Sequence, residues 1–318
     1  MGSQSKIEWT DATWNPVRGC TRISEGCRNC YAERTAARFS GPGRPFDGFV
    51  RIQTGIGPQW TGKVELVEKH LADPLRWREP RRIFVNSMSD LFHEALPDEA
   101  IDRVFAVMAL CPQHTFQVLT KRPERMRVWW RIEEEGISVG DRVPSGKWPL
   151  PNVWLGVSVE DQKTADERIP LLLQTPAAVR FVSYEPALGP VNFTRWLPRS
   201  GRASNPCDVE VRHSRGIGCP SCDSGLDWII VGGESGPGAR PFDIHWARST
   251  VGQCKAAGVA VFVKQLGSKP MYRSHGDNDP RHLFNGLQDL YCNGRALSAK
   301  GGDISEWPHD LRFREMPV

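Results

Sequence analysis

The feature that most restricts the fold of this chain is an alternation of short apolar runs, polar at their C-terminal ends, with amphipathic helical segments. The runs are Arg82–Asp90, Thr115–Arg122, Asn152–Glu160, Val179–Pro186, Leu226–Gly236 and Val259–Gln265. Helices are expected over Tyr31–Phe39, Val64–Leu75, Pro97–Leu110, Pro123–Trp130, Gln162–Leu173 and His245–Ala257, whereas Ser40–Gly62, rich in Gly, Pro and Arg, reads as a long loop. Continuous apolar strands separated by helices specify a parallel sheet with right-handed crossovers. One more strand ahead of the first cysteines brings the expected fold to an α/β full or partial (β/α) barrel of six or seven parallel strands. A doubly wound open sheet is the rival, and without a G-x-G-x-x-G after the first strand a dinucleotide fold is not supported.

In such barrels chemistry collects at the C-terminal ends of the strands. Those ends read Asn86/Ser87/Ser89/Asp90, Thr120/Lys121/Arg122, Ser158/Glu160, Ser183/Glu185, Gly232/Gly233/Glu234 and Lys264/Gln265. Any one of them could be a cap or a turn former. As a set they are expected to line one site.

Ahead of this repeat lies Cys20, six residues, then Cys27-Arg28-Asn29-Cys30: three thiols within eleven residues, in a loop that a helix leaves. Such a loop can grip one metal centre, and three protein thiolates suit a cluster that keeps one position open for a ligand. A zinc knuckle completed by a distant Cys or His is the other reading. A second group, Cys207, His213, Cys219 and Cys222, stands in a basic Gly/Ser-rich insertion at 198–225. Four borderline ligands within sixteen residues suit a closed tetrahedral zinc, and metal would fold an insertion with too few apolar residues to fold alone. Unliganded thiols in a loop are the alternative. Cys111 and Cys254 close apolar helices and are expected to pack as small hydrophobes.

Nine cysteines in a 318-residue chain fit metal ligation in a reducing compartment better than a disulfide framework. No leader, long apolar run or lipidation motif is seen, so a cytoplasmic protein without a membrane partner is expected. The net charge of +4 permits nucleic-acid binding without arguing for it, the basic residues being dispersed among nearly as many acids. Twelve tryptophans, many beside Pro, Gly or Arg, imply a large pocket or loops pinned by aromatic rings. Residues 1–197 and 226–268 are expected to form one barrel domain, and 269–318 a segment that wraps it.

Ile7-Glu8-Trp9-Thr10-Asp11, Thr13-Trp14-Asn15-Pro16, the three-cysteine loop, Asn86-Ser87-Met88-Ser89-Asp90-Leu91-Phe92-His93, Leu119-Thr120-Lys121-Arg122-Pro123, Gly156-Val157-Ser158-Val159-Glu160 and Gly232-Gly233-Glu234-Ser235-Gly236 carry a resemblance. Together they resemble a phage- and bacterium-associated family of three-Cys-motif proteins that looks like an offshoot of the radical S-adenosylmethionine superfamily. The resemblance implies a partial barrel with a [4Fe–4S] cluster on Cys20, Cys27 and Cys30, whose remaining iron chelates S-adenosylmethionine. It also implies an electron donor that reduces the cluster, and hydrogen abstraction from a substrate by a deoxyadenosyl radical. This chain departs from the superfamily spacing C-x3-C-x2-C by a six-residue first gap. Tyr31 follows the last cysteine, where the superfamily has an aromatic residue before it. The superfamily's Gly-Gly-Glu lies on the strand after the cysteine loop, whereas Gly232-Gly233-Glu234 here comes five strands later.

The expectation is an iron–sulfur enzyme of that type, acting on nucleic acid in base modification or DNA repair. Asn86, Ser87, Ser158, Glu160, Ser183, Glu185 and Glu234 are expected to contact cofactor by their position at strand ends, and Lys121, Arg122 and Lys264 to contact substrate. No catalytic residue is assigned. The rival is a non-enzymatic protein, stabilised by zinc at both cysteine groups, that binds nucleic acid or a partner. A divalent-metal hydrolase is disfavoured, because no H-x-H or D-x-D pair stands at a strand end.

Overall fold

The computed structural model describes residues 5, 7–55, 57–130, 143, 148–198, 225–271 and 300–317. Seven strands form the main sheet: β1 (Ala12–Trp14), β2 (Arg82–Val85), β3 (Thr115–Thr120), β4 (Val153–Val159), β5 (Val179–Tyr184), β6 (Trp228–Gly232) and β7 (Ala260–Gln265). They lie in the sheet in the order in which they occur in the chain. A doubly wound sheet reverses its order at a switch point, whereas sequential addition is the winding of a (β/α) barrel. The fold is therefore α/β of the partial (β/α)-barrel class.

Registers in the parallel pairs are regular, with Ala12 opposite Ile83, Ile83 opposite Phe116 and Val118 opposite Leu155. All five residues of β6 are buried, which is why its sequence is continuously apolar instead of alternating.

Among the described residues six helices accompany the strands: α1 (Tyr31–Arg38), α2 (Glu68–Leu71), α3 (Asp98–Ala109), α4 (Pro123–Trp130), α5 (Gln162–Leu173) and α6 (Ile244–Ala257). In α3, Asp98 and Glu99 favour the N-terminal dipole, while Ile101, Val104, Phe105 and Met108 bury one face at helical spacing. Asp243 caps α6 by accepting from the His245 N–H, and Gly258, in the left-handed region at φ 69°, ends it.

The chain divides into two compact units. Among the described residues, one holds those up to Val157 together with Pro170–Arg180; the other holds Ser158–Ile169, 181–198, 225–271 and 300–317. In the second unit, the segment 300–317 runs against β7. The Val263 N–H donates to Phe313 O and the Glu315 N–H to Val261 O, and Trp307 is fully buried. The expected wrapping tail is thus a strand-edge cover, for the residues described. Among the tryptophans Trp14, Trp129, Trp228 and Trp307 are fully buried, the first three within β1, α4 and β6.

Two segments differ from expectation. Val64–Leu75 is not one helix: Glu65–Leu66 pairs antiparallel with Val17–Arg18, and the Val67 N–H donates to Pro16 O at 2.6 Å. Those backbone groups are taken by the ribbon, which leaves a helix of four residues and a 3-10 turn at Pro74–Arg76. Ser40–Gly62 contains a two-stranded antiparallel ribbon, Val50–Gln53 against Gly57–Trp60, which packs on α1 through Phe46, Phe49, Val50 and Trp60.

Cys111 and Cys254 are fully buried as small hydrophobes, and burial pushes the Cys254 thiol up to about 12. Cys207, His213, Cys219 and Cys222, with most of the insertion, lie outside the described residues. Among the described residues no helix is long and apolar enough to cross a membrane.

His114 is buried between Trp77 and Phe116, and burial, then Arg81, holds its pKa below the ordinary imidazole value. The unfolded chain takes up this proton near pH 6.5, whereas the folded chain resists it. Stability is therefore full above about pH 6.5 and falls as pH drops from there toward the folded pKa, by at most about 1.4 kcal/mol per unit per group. Thermal melts between pH 8 and 5.5 check this: the slope below pH 6.5 should shrink in His114→Gln, leaving the share of His93, which is depressed likewise.

Candidate metal centre

The three-thiol loop leaves β1 and is held by the loop after β2. Asn15 Oδ1 accepts from the Ser87 hydroxyl at 3.1 Å and from the Met88 N–H at 3.0 Å. Asn86 Oδ1 accepts from the Val17 N–H at 3.2 Å, and Ser89 Oγ donates to Val17 O at 2.9 Å. Asn86 reaches this position from the left-handed region, φ 59°, which asparagine tolerates better than most residues. The polar end of β2 thus fixes residues 15–17 and so sets where Cys20 emerges.

Cys20 and Cys30 are half-buried against a small core of Ala32, Ala36, Phe46, Phe49, Trp60 and Met88. The 3-10 turn Glu25–Cys27 carries Cys27, whose Sγ lies 3.8 Å from Ser24 Oγ, and Cys30 caps α1. Two ion pairs clamp this loop from either side. On one side Glu33, buried in α1, accepts from Arg22 Nε at 3.1 and 3.0 Å and from the Trp60 N–H at 2.8 Å. This joins loop, helix and ribbon.

On the other side stands Arg122, 5 % exposed at the end of β3. Its Nε donates to Glu94 at 2.9 Å, its Nη1 to Asp90 Oδ2 at 3.1 Å, and its Nη2 to Thr21 O at 3.2 Å and Thr21 Oγ1 at 2.7 Å. The same Nη1 lies 3.8 Å from Cys20 Sγ. Asp90 also accepts from Thr120 Oγ1 at 2.7 Å and from the Lys121 N–H at 3.1 Å. His93 Nδ1 accepts from the Ala95 N–H, which assigns the ring proton to Nε2, 2.9 Å from Thr21 Oγ1. Arg122, expected at the substrate, is instead a buried strut of the thiol loop, and Lys121 contributes its backbone to Asp90.

Burial, reinforced by Asp90, pushes the Cys20 thiol up to about 12, against the opposing pull of Arg122; burial also raises Cys30. Burial works against the Arg122 charge, yet Asp90, Cys20 and Glu94 outweigh it and hold its pKa above the ordinary value. Ligation would therefore release protons from these thiols.

Among the described residues no three His, Cys, Asp or Glu side chains are already gathered around a single-ion position. One tetrahedral zinc needs its sulfurs about 3.8 Å apart, as two bonds of about 2.3 Å demand. Three half-buried thiols on one loop supply the donors for a centre that keeps one position open. Asn86 Nδ2 is buried with no hydrogen-bond partner. Such an orphan donor costs about 1–3 kcal/mol unless something accepts from it, which fits a bound group beside the loop. By donor chemistry and by this orphan, the residues present fit a cluster with a polar ligand.

The remaining expected residues belong to the second unit, where each carboxylate has a cation. Glu160 is buried on Arg168, whose Nη1 also donates to Ser158 O at 2.7 Å. Glu185 accepts from Lys264 Nζ at 2.7 and 2.9 Å and from Gln265 Nε2 at 3.2 Å, and its backbone carbonyl accepts from Ser158 Oγ at 3.3 Å. Glu234 accepts from Arg240 Nε at 3.1 Å and Nη2 at 2.9 Å. Ser183 is buried in β5. Lys264, expected at the substrate, is engaged with Glu185.

Sequence reasoning gave Asp90 no separate role and passed over Thr21, Arg22, Glu33, His93 and Glu94. One signal was available: Asp90, His93 and Glu94 stand in the segment directly after β2, as Arg122 stands directly after β3. The Glu33–Arg22 pair leaves no comparable trace.

A family model described as "Protein of unknown function (DUF5131)" matches residues 4–291. No curated protein and no solved structure matches the chain.

Proposed function

The chain belongs to the DUF5131 family, and from that premise we propose that it is an iron–sulfur enzyme of radical S-adenosylmethionine type acting on nucleic acid. The observation that carries the reading is the clamped loop, in which three thiols on eleven residues are braced by two ion pairs, Arg122–Asp90 buried on both sides and Arg22–Glu33 buried at its carboxylate. Cys20, Cys27 and Cys30 would hold a [4Fe–4S] cluster, leaving one iron for a ligand. Bound there, the cluster and S-adenosylmethionine supply one-electron chemistry.

The protein's part is positional. Arg122 places a fixed positive charge beside Cys20 and, with His93, pins Thr21, so the loop keeps its form when the thiols lose their protons. Asn86 offers an unused amide donor to a polar ligand, and the Tyr31 hydroxyl donates to the Ser87 carbonyl, tying the start of α1 to the end of β2. The half-burial of the thiols limits access of water and oxygen.

Anaerobic reconstitution tests this. About four irons and four sulfides per chain are expected, with broad absorption near 400 nm, and Cys20→Ala, Cys27→Ala and Cys30→Ala should each abolish the signal. With a reductant, the loaded protein should convert S-adenosylmethionine to deoxyadenosine and methionine. Zinc in place of iron would overturn the reading in favour of a zinc-stabilised binding protein, and a signal intact in Cys20→Ala would overturn the assignment of the cluster to this loop.

A further inference from the structure

The chain carries a net charge of +4, but residues 18–63 alone hold eight basic side chains against three acidic ones, a net of +5. The positive excess is therefore not dispersed, contrary to the expectation from composition. It sits in the thiol loop, α1 and the ribbon, while the rest of the chain is close to neutral.

This module has its own small core of Ala32, Ala36, Phe46, Phe49, Val50 and Trp60; Arg18 is buried over Phe46, and the other basic side chains are half-buried or exposed. Arg22 is neutralised by buried Glu33, and Lys63 meets Glu65 in an exposed pair. Arg28, Arg38, Arg44 and Arg51 are exposed and, among the described residues, pair with no carboxylate. Along the chain, exposed aromatic residues fall between them: Tyr31 is 54 % exposed and Phe39 51 %. Along α1, Tyr31, Arg34 and Arg38 recur at helical spacing on the side opposite buried Ala32, Glu33 and Ala36.

Exposed rings interleaved with unneutralised guanidiniums are what a single strand of nucleic acid requires. Arginine takes the phosphates, and the rings take the faces of unstacked bases. An acidic protein would use the charge but would leave the ring faces without a stacking partner. We propose that the outer surface of α1 and its ribbon binds single-stranded nucleic acid, laying the strand beside the thiol loop. This deepens the proposed function by naming where its substrate docks, yet the binding itself does not depend on a cluster.

The test is fluorescence anisotropy of the full chain with labelled single-stranded DNA and RNA of about 20 nucleotides, longer than a typical single-fold site. Iron content is measured on the same samples. Binding should weaken steeply between about 50 and 200 mM salt. The double variant Arg38→Gln/Arg51→Gln should lower the salt slope by about 1.4, near 0.7 for each phosphate of a single strand that is no longer neutralised. Phe39→Ala should weaken binding at least about fivefold. Arg78→Gln, an exposed arginine outside the module, should match the parent. Melting curves confirm that the variants fold.

No binding, or binding equal in all variants, overturns the proposal. Equal affinity for polyglutamate, with Phe39→Ala without effect, overturns it in favour of an acidic protein partner. Failure to take up iron while strand binding persists would remove the enzymatic reading and leave this surface standing.

Discussion

Asp90→Ala should lower stability by about 3–5 kcal/mol, because it leaves the buried guanidinium of Arg122 without its most enclosed partner. The two side chains are only 4 % and 7 % exposed, and the same carboxylate also accepts from Thr120, Lys121 and the Phe92 N–H. Glu94 remains on Arg122, but at 63 % exposure it is screened by water and cannot replace Asp90. In urea unfolding the first midpoint should drop by about 1 M or more. The double variant Asp90→Ala/Arg122→Met should recover part of the loss, since it removes both charges instead of stranding one. A double variant as unstable as the sum of the two single ones would mean that the pair is not coupled. Iron uptake should fall in the single variant even below its unfolding temperature, because Arg122 would no longer hold Thr21 beside Cys20.

Gly19→Ala is the second large effect. Gly19 has φ 86°, and a Cβ there would stand 1.9 Å from Lys63 O and 2.8 Å from Phe49 Cδ1. The left-handed backbone alone costs a side chain about 1–2 kcal/mol, and the overlap with a carbonyl must be relieved by moving the ribbon off the loop. A loss above about 3 kcal/mol is expected, with displacement of Cys20, the next residue. Comparing alkylation rates of the three thiols checks the displacement: Cys20 should become more reactive, whereas Cys111 and Cys254 should stay protected. Unchanged rates and an unchanged melting temperature would show that the loop tolerates the side chain.

The strand ends show how far each kind of information reaches. Asn86, Ser87, Asp90, Glu160, Glu185 and Glu234 stand out in the sequence because apolar runs end in them. Their partners do not: Asn86 works through residues 15–17, Asp90 through Arg122, and Glu185 through Lys264, which lies 79 positions away. Position on a strand can be read from periodicity, but whether a carboxylate is free or neutralised depends on which strand its neighbour comes from. The carboxylates among the strand-end groups each stand against a cation in the fold. The ribbon at 50–60 was hidden for a related reason: its strands are only four residues long, and what holds them is Trp60 and Phe49 packing on α1.

By itself the sequence determined the parallel α/β repeat, the helices that carry a full apolar face, and the presence of three thiols on one loop before that repeat. These follow from local periodicity and from spacing along the chain, which need no knowledge of distant partners. Tertiary structure alone decided the sequential winding of the sheet and the clamping of the loop by Arg22–Glu33 and Arg122–Asp90. It also gathered the arginines around α1 on the outside of a small aromatic core. Each of these depends on side chains brought together across long stretches of chain, where the low dielectric of burial turns an ordinary charge into a structural requirement.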